Sequence, residues 1–248
     1  MKGRTAEDGT EITLAANAFT RDGWTFSGWA TSGGSIAYDD NSGYTIGTAD
    51  VTLYAVWGKL VTADKAATVI AGLEGGTREN PNVYMIKITD KTLTAEQLKE
   101  IGTTIETVAN KSNYYAFFSL DLSSATEVTK IPEEAFSTCR LRGMILPDSL
   151  ETIGTGAFGY NKFEEIVIPD NVKTIEDGGF EYCSNLKTIT LPASLASIGA
   201  SAFKNCDRLK SVNYGGTLAQ WAQIKIDDYN DKLTGAKIIC TDGIINGE

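Results

Sequence analysis

Ile131-Pro132-Glu133-Glu134-Ala135-Phe136-Ser137-Thr138-Cys139 returns three more times in altered form, and that recurrence decides the fold. Phe136, Phe158, Phe180 and Phe203 fall 22, 22 and 23 residues apart. Five residues before each stands an isoleucine (Ile131, Ile153, Ile175, Ile198), and immediately before it a small residue (Ala135, Ala157, Gly179, Ala202). Three residues after it comes Cys139, Asn161, Cys183 or Cys206. Between these frames runs an apolar-x-x-apolar-x-apolar stretch closed by proline: Leu141 to Pro147, Phe163 to Pro169 and Leu186 to Pro192. Such a period, with one strand per unit, reads as a solenoid whose coils stack about 4.8 Å apart and share a continuous core. The proline ends each strand without removing a ladder bond from its interior.

The Ile-x4-Phe-x2-Cys frame, the Leu-Pro strand end, and the pairs Ile153-Gly154 and Ile198-Gly199 resemble BspA-like leucine-rich repeats from about Ala116 to Asn213. Asn161 in place of cysteine, Glu176 in place of glycine, and one residue fewer between Phe and Pro in the first two full repeats depart from the pattern. Tyr214 to Thr217, Trp221 and Ile224, then Ala236 to Gly243, look like the C-terminal closure of that family. There Trp221, with Ile224, Ile226, Ile238 and Ile239, would cover the last coil. The repeated cysteine reads either as a small hydrophobe stacked inside each coil or as half of a Cys183–Cys206 disulfide.

In the first 58 residues, Gly23 to Trp29 and Val51 to Trp57 alternate large aromatics with small or polar residues, as half-buried strands do. Thr31 to Gly34 and Asp39 to Gly43 have turn composition. Phe19-x3-Gly23-Trp24-x-Phe26-x-Gly28-Trp29, Tyr38, and Leu53-Tyr54-Ala55-x-Trp57 resemble the internalin B-repeat over Glu11 to Trp57. That resemblance implies a β-grasp-like module whose opening strand would precede the residues present, hence a truncated module or the tail of a longer array. Trp24, Trp29, Tyr54 and Trp57 read as core, with a carbohydrate-stacking platform as the alternative.

Between module and repeats, Thr62 to Leu73 predicts a helix with Thr62 or Asp64 as N-cap and Gly75-Gly76 as stop. Val83 to Ile88 predicts a strand. Thr94 and Gln97 form a capping box for a second helix carrying Leu98, Ile101, Ile105 and Val108 on one side and ending near Lys111. This αβα segment (59–115) reads as the cap over the first open coil, its strand leading the sheet. The fold class is therefore α+β: a leucine-rich-repeat solenoid with a parallel sheet and an αβα N-terminal cap (59–248, closed by 214–248). A small β-rich, β-grasp-like module (1–58) precedes it.

A formal charge of −10 and a pI near 4.6 argue against a nucleic-acid partner. No apolar run approaches the ~18 residues of a membrane span, and Met1 to Asp8 contains no leader-like stretch. Histidine is absent, and Cys139, Cys183, Cys206 and Cys240 lack metal-clip spacing, so neither a metal nor any other cofactor is expected. Glu133-Glu134, Glu164-Glu165, Glu176-Asp177 and Asp227-Asp228 pair acids without a second catalytic motif, so no enzyme is predicted. Asp227 to Asp231 reads as a solvated acidic loop, with calcium as the alternative.

Strand register then nominates a surface. The outward row is Asp121, Ile145, Val167, Thr190 and Asn213, flanked by Phe118, Arg142, Glu164, Glu165, Lys187 and Lys210. It reads as β-ladder pairing or as a protein-binding patch. The two resemblances imply a bacterial, secreted or cell-surface adhesion module without enzymatic activity, binding a protein such as a host matrix or cell-surface protein. The chain is expected to be a monomer. A structural stalk and a carbohydrate-binding module are the alternatives.

Overall fold

The computed structural model describes residues 9–14, 16–18, 20–30, 36–38, 41–45, 51–78, 81–111 and 115–247. Five strands open the chain: β1 (Glu11–Thr13), β2 (Thr25–Ala30), β3 (Ile36–Tyr38), β4 (Gly43–Thr45) and β5 (Tyr54–Val61). Helix α1 (Ala63–Ala71), strand β6 (Asn82–Ile88), helix α2 (Ala95–Ala109) and strand β7 (Ala116–Asp121) follow. The repeats supply β8 (Lys130–Ile131), β9 (Gly143–Ile145), β10 (Thr152–Ile153), β11 (Glu165–Val167), β12 (Thr174–Ile175), β13 (Thr188–Leu191), β14 (Ser197–Ile198) and β15 (Ser211–Tyr214). The chain closes with α3 (Leu218–Trp221), β16 (Lys225–Ile226), α4 (Asp231–Thr234), β17 (Lys237–Cys240) and β18 (Gly243–Ile245).

Each coil gives one strand to each of two parallel ladders. The short ladder runs β8-β10-β12-β14-β16 and aligns Ile131, Ile153, Ile175, Ile198 and Ile226. Between the ladders the four phenylalanines form one column, with ring centroids 5.9, 5.3 and 5.5 Å apart and near-parallel planes. All four rings are fully buried. Burial of each contributes about 1.5–3 kcal/mol, and each ring pair adds about 0.5–1.5.

All four cysteines are free and buried, so the interior reading holds and the disulfide does not. Cys139 donates to Gly102 O, Cys183 to Phe158 O and Cys206 to Phe180 O, each at 3.2 Å. Burial pushes the Cys139 and Cys206 thiols up to about 12 and Cys183 well above its ordinary value. Such thiols pack; they do not react.

The long sheet has an unexpected extent. β6 does not lead it: β5 lies beyond β6, parallel to it from Val56↔Val83 to Val61↔Ile88. β5 also pairs antiparallel with β2, so one sheet runs β3-β2-β5-β6-β7-β9. β5 crosses from residue 58 to 59 without interruption. Its hydrophobic alternation ends at Trp57 in the sequence, but the edge of β6 recruits the next four residues into a ladder.

Helix α2 carries the predicted Thr94–Gln97 capping box and buries Leu98, Ile101, Ile105 and Val108. Helix α1 differs from expectation at both ends. The Thr62 side chain makes no cap; Asp90 Oδ2 accepts the Ala63 N–H at 2.8 Å instead. The helix stops at Gly72, ahead of Gly75-Gly76.

Trp29 is buried, and Trp24, Tyr54 and Trp57 are partly buried, which fits core better than platform. The turn expected at Thr31 to Gly34 lies outside the described residues, as do Phe19, Asp39 and Asp40. At the other end Trp221 is buried edge-on against Tyr214 at 5.3 Å, and Ile224 and Ile238 are buried with it. β18 turns back antiparallel on β17 and ends the second long sheet, β11-β13-β15-β17-β18.

Candidate protein-binding face

The outward row predicted from spacing forms in two parts, broken between Ile145 and Val167, and its first part is longer than foreseen. Register pairs Leu60 with Lys87, Lys87 with Asp121, and Asp121 with Ile145. On the second sheet Val167 pairs with Thr190, Thr190 with Asn213, and Asn213 with Ile239. Leu60, Ile145 and Val167 are 70%, 45% and 64% exposed. Neither Leu60 nor Lys87 carries a motif; their strand pairing brings them into the row.

Phe118 does not flank this face. It is 1% exposed and stacks on Tyr84 at 5.9 Å inside the core. Its counterparts by repeat spacing, Arg142, Glu164, Lys187 and Lys210, lie just before their strands begin, with the Arg142, Lys187 and Lys210 N–H groups bonded to Phe118 O, Glu164 O and Lys187 O. β7 starts earlier, at Ala116, so strict alternation carries Phe118 inward.

Asp121 is mostly covered. Its carboxylate pairs with Lys87 at 3.1 Å and accepts the Ser123 N–H at 2.8 Å. Glu164 and Lys187 form an ion pair at 2.6 Å on the next coils. Arg142 lies 3.5 Å over the Phe117 ring; burial holds its guanidinium below its ordinary value, with the Glu164 charge opposing. Thr190 and Asn213 are half-exposed, while Glu165, Lys187 and Lys210 are exposed. The face thus has an apolar centre at Ile145 and Val167, charged flanks, and a polar floor toward the C-terminal coils.

Among the described residues no group of three or more His, Cys, Asp or Glu side chains is placed to hold a metal ion. Within Asp227 to Asp231 it is Asn230 that fixes the loop: its Nδ2 donates to Gly199 O and Asp227 O, and its Oδ1 accepts the Phe203 N–H. No helix among the described residues is long and apolar enough to cross a membrane.

Comparison with known proteins identifies the repeats. Residues 106–225 match the BspA type Leucine rich repeat region in six copies, and residues 2–56 match the Listeria-Bacteroides repeat domain. These two regions are thus similar to bacterial repeat families that are non-enzymatic in general, the first match spanning just under half of the chain. A leucine rich cell surface protein from Faecalibacterium prausnitzii is 21% identical with a TM-score of 0.46, over 73% of this chain and 42% of that one. The chain thus spans about two-fifths of that protein's length. A leucine-rich repeat protein from Bacteroides ovatus is 15% identical with a TM-score of 0.21, over 90% of this chain and 78% of that one. No curated protein matches the chain.

Proposed function

We propose that this chain is a non-enzymatic adhesion or protein-interaction module of a bacterial surface protein, acting as a monomer through the outward face of its long sheet. The single observation that carries the reading is the exposed aliphatic pair Ile145 and Val167 at the centre of that face, with Arg142, Glu164, Glu165, Lys187 and Lys210 around it. An apolar centre with a charged rim is the anatomy of a protein interface. The partner class that fits is a host matrix or cell-surface protein; the net charge of −10 disfavours a nucleic-acid backbone.

Residues 59–115 act in this reading as the cap of the solenoid, 214–248 as its closure, and 1–58 as a β-grasp-like spacer. A screen of immobilised matrix and cell-surface proteins tests the reading. Ile145→Asp, or Glu164→Lys with Glu165→Lys, should weaken any binding found by at least about tenfold, the usual cost of losing a buried anchor. Unchanged affinity in both variants would move the site off this face. A load-bearing stalk is the second reading, favoured by the unbroken sheet from β3 to β9. It predicts that no partner is captured in the screen.

A further inference from the structure

We propose that the opening between β9 and β11 is a socket for an extended segment of a partner protein presenting a bulky apolar side chain beside a lysine or arginine. The proposal rests on the reading of this face as an interaction surface. The parallel ladder is closed on either side of the opening. Leu122 N–H donates to Ile145 O at 2.8 Å between β7 and β9, and Ile168 N–H donates to Thr190 O at 2.9 Å between β11 and β13. The corresponding bond from Leu146 N–H to Val167 O is missing, and β9 and β11 fall in separate sheets. The two coils are tied just before their strands, where Lys162 N–H meets Leu141 O at 2.8 Å. Toward the strand ends they border an open pocket of about 440 Å³.

Gly143 supplies part of the space. The positions that occupy its place on the other coils, Glu165, Thr188 and Ser211, all carry side chains on the outward face. Met85, Met144, Ile145, Ile166 and Val167 make the walls apolar, and the thioethers adapt to the shape of an inserted side chain. Asp148 and Glu165 also line the cavity; both are exposed, and neither carboxylate has an ion-pair or hydrogen-bond partner among the described residues. The size falls in the range of about 300–1,000 Å³ that accepts inserted groups. A purely apolar small molecule would use the walls alone. A peptide also offers a carbonyl to the Leu146 N–H, and a basic neighbour completes the two carboxylates.

The test uses the intact chain and three seven-residue peptides, followed by methyl chemical shifts. One alternates leucine and threonine between terminal lysines, the second replaces the lysines by glutamates, and the third replaces the leucines by serines. The first should shift Met144, Ile145 and Val167 and leave Val212 unmoved. The second should bind at least about tenfold more weakly because it meets like charge, and the third should not bind. Gly143→Leu should fill the socket and abolish binding, and Glu165→Lys, an exposed change that spares the fold, should erase the preference for lysine. Equal binding of the lysine and glutamate peptides, no binding of the lysine peptide, or binding unaffected by Gly143→Leu in a folded variant would each overturn the proposal. Loss of protein-partner binding in Thr190→Lys/Asn213→Lys but not in Gly143→Leu would sink the socket and leave the face standing. Insensitivity to all these changes would remove both.

Discussion

Asn161 stands where the other repeats have cysteine, and its side chain makes bonds that a thiol cannot. Its Oδ1 accepts the Leu141 N–H at 2.8 Å, while its Nδ2 donates to Phe136 O at 2.8 Å and Phe158 O at 2.9 Å. Asn161→Ala orphans the buried Leu141 N–H and Phe136 O at about 1–3 kcal/mol each, while Phe158 O keeps the Cys183 thiol, so urea unfolding should show a loss of about 2 kcal/mol or more. Asn161→Cys keeps the bond to the carbonyl 25 residues back, as Cys183 does, and should cost less; equal losses would refute the account. Glu176, the other departure from the repeat, accepts the N–H and Oγ1 of Thr155 and pairs with Lys130. Burial raises its pKa, but the bonds from Lys130 and Thr155 outweigh this and hold it below its ordinary 4.5. The sign follows: this stability is complete above pH 4.5 and is lost as pH falls through the lower folded value. Glu176→Gln should therefore narrow its deficit against the wild type on acidification, read as Tm against pH between neutral and strongly acidic buffer. Both departures were legible as departures. Their roles were not, because a bond partner one coil away leaves no trace in local sequence.

At the scale of elements, Gly102 shows why helix propensity alone misleads. It lies on the inner side of α2 against the first coil, and a Cβ there would sit 1.7 Å from Ala135 O and 2.9 Å from the Ala135 carbonyl carbon. Alanine is better than glycine in a helix by about 1 kcal/mol, but overpacking against fixed backbone costs about 1–3 kcal/mol and α2 would have to move bodily. Gly102→Ala should lower stability by about 2 kcal/mol by chemical denaturation; an increase would mean that α2 is free to lift. The capping box and apolar stripe of α2 were readable because both are local, and so were the phenylalanine column and the row from Ile145 to Asn213. The start of β7 was not, and with it went the inward turn of Phe118. Nor did Leu60 signal its place: a lone leucine after Lys59 acquires meaning only once β6 lies beside it.

At the scale of the molecule, the question is whether the N-terminal strands form a separate folding unit. Length and composition favour a module ending near residue 58, yet β5 bonds to β2 on one edge and to β6 on the other. The side chains reinforce the joint. Trp24 packs on Tyr84 at 5.0 Å, and the Arg21 guanidinium lies 4.6 Å from the Tyr84 ring and 5.4 Å from that of Trp24. Tyr84 in turn stacks on Phe118, whose strand β7 pairs with β9, the first repeat strand in that sheet. In a solenoid each unit is stabilised mainly by its neighbours, so loss of the β5–β6 interface should be felt at β7. The expected outcome is that Trp24, Trp29 and Trp57, read by fluorescence in a Trp221→Phe background, unfold together with the far-UV circular dichroism of the whole chain. Trp24→Ala should shift both transitions by the same amount. A tryptophan transition at lower urea than the dichroism would show that the first strands melt on their own, and the chain would then be two units joined at β5. If the transitions coincide, force or binding at the first strands is carried through β6 and β7 directly into the sheet that bears Ile145.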